Sequence, residues 1–231
     1  MSALTHPSAR GASRWRAALL TAALVALTGA CTVDLPGGVV VGSGEVTSEV
    51  RKVSDFSEVE AHGGIRLELV NGATHSVVVT AQPNLLPITT TTVSGSRLTV
   101  DTTSGYTTTQ GITVKVTTPS LSAIALSGGA IATGDGVTAA SLSVDTSGGA
   151  RLTLSGTADA LDVKASGGAI LELGSLRVKT ATVDVSGGVV ATLNASSSLT
   201  GNASGGVVIH LATRPGTVNV ETSGGAAVVG P

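Results

Sequence analysis

Ser147-Gly148-Gly149-Ala150 is one of six Ser-Gly-Gly motifs, each followed by Ala or Val, that recur through the second half of the chain. The motifs begin at Ser127, Ser147, Ser166, Ser186, Ser204 and Ser223, at successive spacings of 20, 19, 20, 18 and 19 residues. A fixed period of about twenty residues is typical of a solenoid, in which each repeat is one coil that buries its apolar side against its neighbours. The repeat therefore predicts the architecture of the chain, although it does not identify a ligand.

The residues on both sides of each motif alternate between apolar and polar types. Around Ser166 the alternation is carried by Leu161-Asp162-Val163-Lys164-Ala165 before the motif and by Ala169-Ile170-Leu171-Glu172-Leu173 after it. A period of two predicts strands with one buried face and one solvent face. We therefore expect two short strands in each coil, meeting at the Gly-Gly corner, with a turn of small residues such as Ser155-Gly156-Thr157 closing the coil.

The paired glycines are predicted to have a structural role at these corners. A sharp corner needs φ values that only Gly adopts without a Cβ clash, and stacked corners leave no room for side chains. The corner glycines are Gly128, Gly129, Gly148, Gly149, Gly167, Gly168, Gly187, Gly188, Gly205, Gly206, Gly224 and Gly225. The serines would form a column at a spacing of about 4.8 Å, in which hydroxyls bond one another or the corner backbone.

These patterns together predict an all-β fold, a single-stranded parallel β-helix (a β-solenoid) with about 19–20 residues per coil. The composition agrees, because 42% hydrophobic but only 1% aromatic residues, with 31 glycines among 231 residues, suit a thin core of small side chains. Parallel crossover connections are generally right-handed, which predicts a right-handed coil.

The first thirty residues have the features of a lipoprotein signal peptide. Met1–Arg16 is polar and basic, and Ala17–Leu27 is an apolar run of 11 residues, which is shorter than the roughly 20 residues of a spanning helix. The next residues, Thr28-Gly29-Ala30-Cys31, resemble the end of the bacterial lipobox. We predict that residues 1–30 are removed and that Cys31 carries a lipid, which would hold the exported chain on a bacterial membrane, outside the cytoplasm.

Cys31 is the only cysteine in the chain. A spare thiol just beyond an ordinary secretory cleavage site is the alternative interpretation of this residue. No disulfide can form within the chain in either case, so coil stacking must stabilise the exported fold.

The remainder of the chain divides into a predicted tether and a predicted β-helix domain. Residues 31–44, which contain Pro and several Gly, predict a lipidated tether. Residues 45–231 predict the β-helix domain, with less regular coils over 45–120 and the regular repeats over 121–231. Within the less regular part, Asn71-Gly72 between two apolar segments predicts a β-hairpin. We expect this part to begin the stack and to cap its open end.

The charge of the exported chain argues against nucleic acid as a partner. Removal of the signal peptide takes away Arg10, Arg14 and Arg16 and leaves ten basic and fifteen acidic residues. No basic stripe remains that could neutralise a row of phosphates.

Catalysis is not predicted. β-Helices that cleave polysaccharides need clustered carboxylates and commonly use aromatic platforms, whereas the only tryptophan, Trp15, lies in the signal segment. Asp145 and Asp184 are solvent-facing carboxylates two coils apart, but Lys164 lies between them, so we interpret the three residues as a solvated charge ladder. The histidines of the predicted domain are His62, His75 and His210. They have no metal-ligand spacing, so neither a metal nor a cofactor is expected.

Three consecutive coils place β-branched apolar residues four positions after the serine, where a solvent-facing side chain is expected. These residues are Ile170, Val190 and Val208, which we call the apolar ridge. One interpretation is that a loop or the N-terminal segment covers them, or that they only satisfy strand propensity. The other is that they form a docking ridge for a protein partner or for a second copy of the chain.

Four stretches ahead of the repeats, together with the Ser-Gly-Gly coils, carry a family resemblance. The four stretches are Asp55-Phe56-Ser57, Gly63-Gly64-Ile65, Asn84-Leu85-Leu86-Pro87 and Arg97-Leu98-Thr99-Val100. On these residues the chain resembles the GIN domain family, the head domain of proteins described as auto-transporter adhesins, over about residues 46–229. The resemblance implies a single-stranded β-helix in an exported and often lipid-anchored protein.

We therefore expect a cell-envelope lipoprotein whose non-catalytic β-helix serves as a surface adhesion or protein-interaction module. Apart from the membrane that holds the lipid, its partner would be an envelope protein, an envelope polysaccharide or a second copy of the chain. Two alternatives stay open. A passive structural component of the envelope would show no saturable binding, and a glycan-active β-helix enzyme would turn over envelope polysaccharide.

Overall fold

The computed structural model describes residues 38–231, which form seventeen strands. The strands are β1 (Val40–Val41), β2 (Thr47–Arg51), β3 (Glu58–Ala61), β4 (Arg66–Asn71), β5 (Ser76–Ala81), β6 (Thr89–Ser94), β7 (Arg97–Thr102), β8 (Tyr106–Thr107), β9 (Thr113–Thr118), β10 (Ala123–Leu126), β11 (Ile131–Thr146), β12 (Arg151–Ala165), β13 (Ile170–Gly187), β14 (Val190–Gly205), β15 (Val208–Leu211), β16 (Thr217–Gly224) and β17 (Ala227–Val229). Within this range there is no helix of the length and apolar character that a membrane crossing requires. The predicted signal peptide and the predicted lipidation site at Cys31 lie outside the described residues.

The strands from β10 onward stack in parallel and in register, which confirms the predicted β-solenoid. Val144, Val163 and Val183, for example, are register partners in three successive coils, and all three are buried. Because the alternation keeps the same phase from coil to coil, each buried row continues through the stack. The core is therefore a column of Leu, Val, Ile and Ala side chains.

The predicted closing turn of the coil is wrong at Ser155-Gly156-Thr157. β12 runs through these residues without interruption. All three pair with β13, and Gly156 and Thr157 also pair with β11. Similar bends in neighbouring coils lie over one another, so the backbone groups of each bend find hydrogen-bond partners in the coils above and below. Register shifts, such as the one between Thr153 and Ser155, mark the points at which a strand bends.

Each regular coil consequently has three sides, which β12 illustrates. We call them the post-corner side (residues 151–154), the third side (155–160) and the pre-corner side (161–165). The Gly-Gly corner joins the pre-corner side of one coil to the post-corner side that follows it. The third side is an addition to the two strands per coil that the alternation predicts.

The first coil in the sequence, formed by β3 and β4, is not the first coil of the stack. β3 pairs in parallel with both β7 and β10, and β4 pairs in parallel with both β9 and β11. The coil formed by β3 and β4, whose corner is His62-Gly63-Gly64, therefore lies between the coil of β7 and β9 and the first Ser-Gly-Gly coil. The chain leaves the stack after β4, builds one end of it, and rejoins the stack at β10.

Three antiparallel strands cover the end of the stack that β7 and β9 form. β6 pairs with β7, β5 pairs with β9, and β2 pairs with β5. The predicted hairpin at Asn71-Gly72 is wrong, because β9 lies between β4 and β5 and pairs with both. Asn71 instead donates a hydrogen bond from Nδ2 to the carbonyl oxygen of Gly136 at 3.1 Å, which joins this turn to the next coil.

Part of the predicted tether is bonded to the solenoid. The amide of Val40 donates to the carbonyl oxygen of Gly105 at 2.8 Å, where β1 and β8 form a separate two-stranded sheet. Asn84 holds the same segment, since its Oδ1 accepts from the amide of Ser43 at 2.8 Å and its Nδ2 donates to the carbonyl oxygen of Val41 at 2.7 Å. The segment that could act as a tether does not include these residues.

Candidate functional site

The corner glycines form one backbone ladder, but their two positions differ. The first glycine of each Ser-Gly-Gly motif has a φ between 70° and 92°, and a Cβ there would lie 2.7–3.1 Å from the backbone of the glycine one coil earlier. The second glycine has no positive φ, and a Cβ there would lie 3.6–3.8 Å away, which is ordinary contact. Its amide donates to the earlier coil, as from Gly168 to the Gly148 carbonyl oxygen at 2.7 Å. Glycine is therefore sterically required only at the first position, whereas the sequence predicted that both positions require it.

The serine column begins with a histidine. His62 occupies the serine position of its corner, and its Nδ1 lies 2.7 Å from the Ser127 hydroxyl oxygen of the next coil. The Nε2 atom of His62 lies 3.4 Å from Oε1 of Glu60. Over residues 38–231 this is the one side-chain hydrogen bond that a serine of the column makes, so the predicted chain of hydroxyl bonds does not form.

The pre-corner side carries the predicted charge ladder. Asp145 pairs in register with Lys164, and Lys164 pairs with Asp184. Within the described chain none of the three side chains forms an ion pair. The structure thus places these charges in one row but leaves them solvated.

A pocket of about 270 Å³ opens on the same side, nearer the capped end. Its floor is Ala123 and Ala125 of β10, and the longer side chains of the neighbouring strands rise on either side. Glu58 and Glu60 line one wall, where Arg97 binds both carboxylates at 3.0 and 3.6 Å. A hydrogen bond from the Ser96 hydroxyl, and then the bond from Arg97, hold the pKa of Glu58 below its ordinary value. A carboxyl whose pKa is lowered in this way, as that of Glu58 is, is poorly suited to donate a proton to a substrate.

The post-corner side brings the apolar ridge together. Ile170 pairs in register with Val190, and Val190 pairs with Val208. Val190 is 39% exposed and the other two are half-buried, so the described chain leaves the middle of the ridge open to solvent. Next to the ridge, Arg151 pairs in register with Ile170 and binds Glu172 at 2.8 Å, which bounds the apolar row with an ion pair.

The third side carries a groove of about 660 Å³ that the sequence analysis missed. It crosses the coils of β11 to β14 and reaches the segment after β15, and its lining includes Arg177, Lys179 and Arg214. The residues were missed because the alternation on either side of the corner suggested a turn here. A signal was present: exposed Arg177 and Lys179 alternate with buried Leu176 and Val178, a strand pattern inside the supposed turn.

His75 is held between a carboxylate and a backbone carbonyl. His75 lies with its Nδ1 3.0 Å from Asp55 Oδ1 and its Nε2 2.8 Å from the Phe56 carbonyl oxygen. Because that carbonyl takes the position a nucleophilic hydroxyl would need, the pair does not form a Ser-His-Asp triad. His210 is exposed on β15. Among residues 38–231 no three His, Cys, Asp or Glu side chains come together in a way that could hold a metal ion.

Fold and surfaces together define a class of protein, a capped β-solenoid whose outward rows form the accessible surfaces. The chain belongs to the family described as "Putative auto-transporter adhesin, head GIN domain", whose model matches residues 55–215. A search of curated proteins finds no match to the sequence.

Solved structures show the same fold. A protein from Bacteroides fragilis NCTC 9343, described as a putative adhesin, is 15% identical with a TM-score of 0.66, and the match covers 83% of this chain and 100% of that one. A putative adhesin from Parabacteroides merdae ATCC 43184 is 17% identical with a TM-score of 0.54, covering 84% and 100%. A putative lipid binding protein from Parabacteroides distasonis ATCC 8503 is 15% identical with a TM-score of 0.51, covering 83% and 99%. At these identities the likeness concerns the fold alone.

Proposed function

We propose that this protein is an exported, lipid-anchored and non-catalytic module that mediates adhesion or protein interaction at the cell envelope. The observation that carries the proposal is the arrangement of outward side chains in straight, in-register rows on a stacked solenoid. Such rows place one outward side chain from each coil at a spacing of about 4.8 Å, which suits the recognition of extended surfaces more than the enclosure of a small substrate. The family description, an adhesin head domain, supports the same function.

The geometry also favours binding over catalysis. Arg97 engages the carboxylates of Glu58 and Glu60 in the pocket on the pre-corner side, and a backbone carbonyl occupies His75 Nε2. Neither this pair of carboxylates nor His75 is free to act as the acid or base that hydrolysis of a glycan would need. The experiment that tests the function is saturable adhesion of the full chain, displayed on beads, to isolated envelope. A folded chain that shows no saturable adhesion would favour a passive structural role instead, and release of soluble sugar would indicate an enzyme.

Lipid anchoring through Cys31 has its own test. In Cys31→Ser we expect the chain to move from the membrane fraction to the soluble fraction, because the acyl chains that hold it would have no attachment point. The measurement is the distribution of the chain between sedimented membranes and supernatant, with Thr32→Ser as the matched control that should stay on membranes. Retention of Cys31→Ser on the membrane would contradict the anchor.

The apolar ridge is the proposed contact surface for a protein partner. Val190→Asp should weaken saturable adhesion at least tenfold, since it puts a charge in the middle of a row that would be desolvated on binding. The same change should cost the folded state only about 1 kcal/mol, because the side chain is partly exposed in a strand. Val50→Asp, at a valine that is 71% exposed on β2, is the matched control. Equal adhesion by both variants would remove the ridge from the binding surface.

A further inference from the structure

The groove on the third side follows a row of outward side chains, to which each coil contributes one residue. Thr157, Arg177 and Asn194 are successive register partners at its base. Arg214 lies one coil beyond Asn194, so the two guanidinium groups belong to coils about two strand spacings apart, on the order of 10 Å. The groove thus presents two arginines along the stacking direction, with hydroxyl and amide groups between them.

The polar groups between the arginines are held in place by bonds from coil to coil. Thr213 donates from Oγ1 to Asn194 Oδ1 at 2.9 Å, and Asn194 Nδ2 donates to the Gly174 carbonyl oxygen at 2.8 Å. Ser196 donates to the Val178 carbonyl oxygen at 3.2 Å. A ligand that binds here meets an ordered set of polar groups, so little side-chain entropy is lost on binding.

The charge of the groove is opposite to that of the domain around it. Residues 38–231 contain fourteen acidic and ten basic side chains, yet the groove is lined by three of the basic ones and by one acidic one, Asp159. Lys179 binds that carboxylate at 2.7 Å. Arg177 and Arg214 make no ion pair or side-chain hydrogen bond with any residue that the structure describes, and both are exposed. Two guanidinium groups are therefore free to bind an anion.

We propose that this groove binds an anionic polysaccharide. Arg177 and Arg214 would each pair with a carboxylate, sulfate or phosphate group of the polymer, for which the planar guanidinium offers two parallel donors. The hydroxyl and amide groups between them would bond the sugar hydroxyls. This inference rests on the proposed adhesive function and adds a polysaccharide-binding surface to the protein contact proposed at the apolar ridge.

A peptide fits the groove less well. Extended peptides bind by adding a strand to an open sheet edge, or place side chains in apolar pockets. The groove offers no open edge, because the segments of β12 and β13 that form it already pair on both sides. Its apolar lining consists of Ala and Val side chains, with no aromatic side chain and so no deep pocket for a large apolar residue. Without aromatic stacking, each site is expected to bind weakly and to depend on many copies acting together.

The test uses the full chain, purified in a non-ionic detergent and immobilised at high density. The probe is polygalacturonate, with neutral dextran of the same length and polyglutamate as comparison polymers. Wild type should bind polygalacturonate saturably, more weakly as salt is raised, and should bind neutral dextran at least tenfold more weakly. The double variant Arg177→Gln with Arg214→Gln should lose at least tenfold in affinity. Arg66→Gln with Lys164→Gln removes the same charge from the other two sides and should change affinity less than twofold.

Several results would overturn the inference. Equal losses in the two double variants would mean that net charge and not the groove attracts the polymer. Polyglutamate binding as tight as polygalacturonate binding would mean that any polyanion suffices. If wild type adheres to envelope but binds no anionic polysaccharide, the ligand class is wrong while the adhesive function stands. If a folded wild type adheres to neither, the proposed function itself fails.

Discussion

Gly167→Ala should lower the free energy of unfolding by about 2–4 kcal/mol, whereas Gly168→Ala should change it by less than about 1 kcal/mol. Gly167 has a φ of +80°, where an L side chain clashes with its own backbone. A Cβ at Gly167 would also lie 2.8 Å from the carbonyl oxygen of Gly148 and 3.0 Å from its amide nitrogen, so the two coils would have to move apart. Gly168 has no positive φ, and the nearest atom would be 3.8 Å from its Cβ.

The two variants form a matched pair, since the same methyl group is added to neighbouring residues of one corner. Urea unfolding followed by far-ultraviolet circular dichroism gives the midpoint for each. Gly148→Ala, whose Cβ would also lie 2.8 Å from a carbonyl oxygen one coil earlier, should repeat the large effect. Equal shifts at Gly167 and Gly168 would show that the first position of the corner has no greater steric requirement for glycine than the second.

The regular coils were predictable because one local pattern determines both their shape and their packing. In Leu161-Asp162-Val163-Lys164-Ala165 the alternation predicts which side chains are buried. The spacing of the serines predicts the register, and so the residue of the next coil with which each of these residues pairs. The same information left the third side unpredicted. Ser155-Gly156-Thr157 has the composition of a turn, and only the coils above and below supply the hydrogen-bond partners that make it a strand.

The coil of β3 and β4 was not predicted, for a different reason. His62-Gly63-Gly64 differs from the Ser-Gly-Gly motif in its first residue, and Ile65 follows it in place of Ala or Val, so the sequence does offer a seventh corner. It stands 65 residues before Ser127, however, which hides the period of twenty. The intervening residues build the capping strands and the coil of β7 and β9. Non-sequential pairing of this kind depends on contacts far apart in the chain, which a local pattern such as Asn71-Gly72 cannot reveal.

The same limit applies to the prediction of binding surfaces from the sequence, as the ridge and the groove show. The ridge could be predicted, because Ile170, Val190 and Val208 occupy equivalent positions in coils whose register the serines fix. The groove depends on the third side, where β14 has two residues, Ser196 and Ser197, opposite the single Lys179 of β13. Without the positions of such irregularities, the sequence does not bring Arg177 and Arg214 onto one surface.

Leu154→Ala should cost about 3 kcal/mol of stability, and part of that cost should be recovered when Gly134 is also changed to Ala. Gly134 lies between Leu69 and Leu154 in a buried row. Leu154 is fully buried, and its Cδ2 would lie 2.9 Å from a Cβ at Gly134, so the leucine fills the space that the glycine leaves. Removing the leucine side chain alone leaves a cavity in the core.

Gly134→Ala alone should destabilise by about 1–3 kcal/mol, because its methyl group meets Leu154 and the Cβ of Leu69 at 3.0 Å. In the double variant that methyl group occupies part of the cavity, so the combined loss should be at least about 0.5 kcal/mol smaller than the separate losses together. Leu199→Ala, at a fully buried leucine several coils away, is the control and should combine with Gly134→Ala additively within about 0.5 kcal/mol. The measurement is the urea midpoint of the full chain for each member of the two cycles. Additive losses in both cycles would mean that Leu154 does not fill the space at Gly134, and that the interior of this coil is packed less tightly than its buried row indicates.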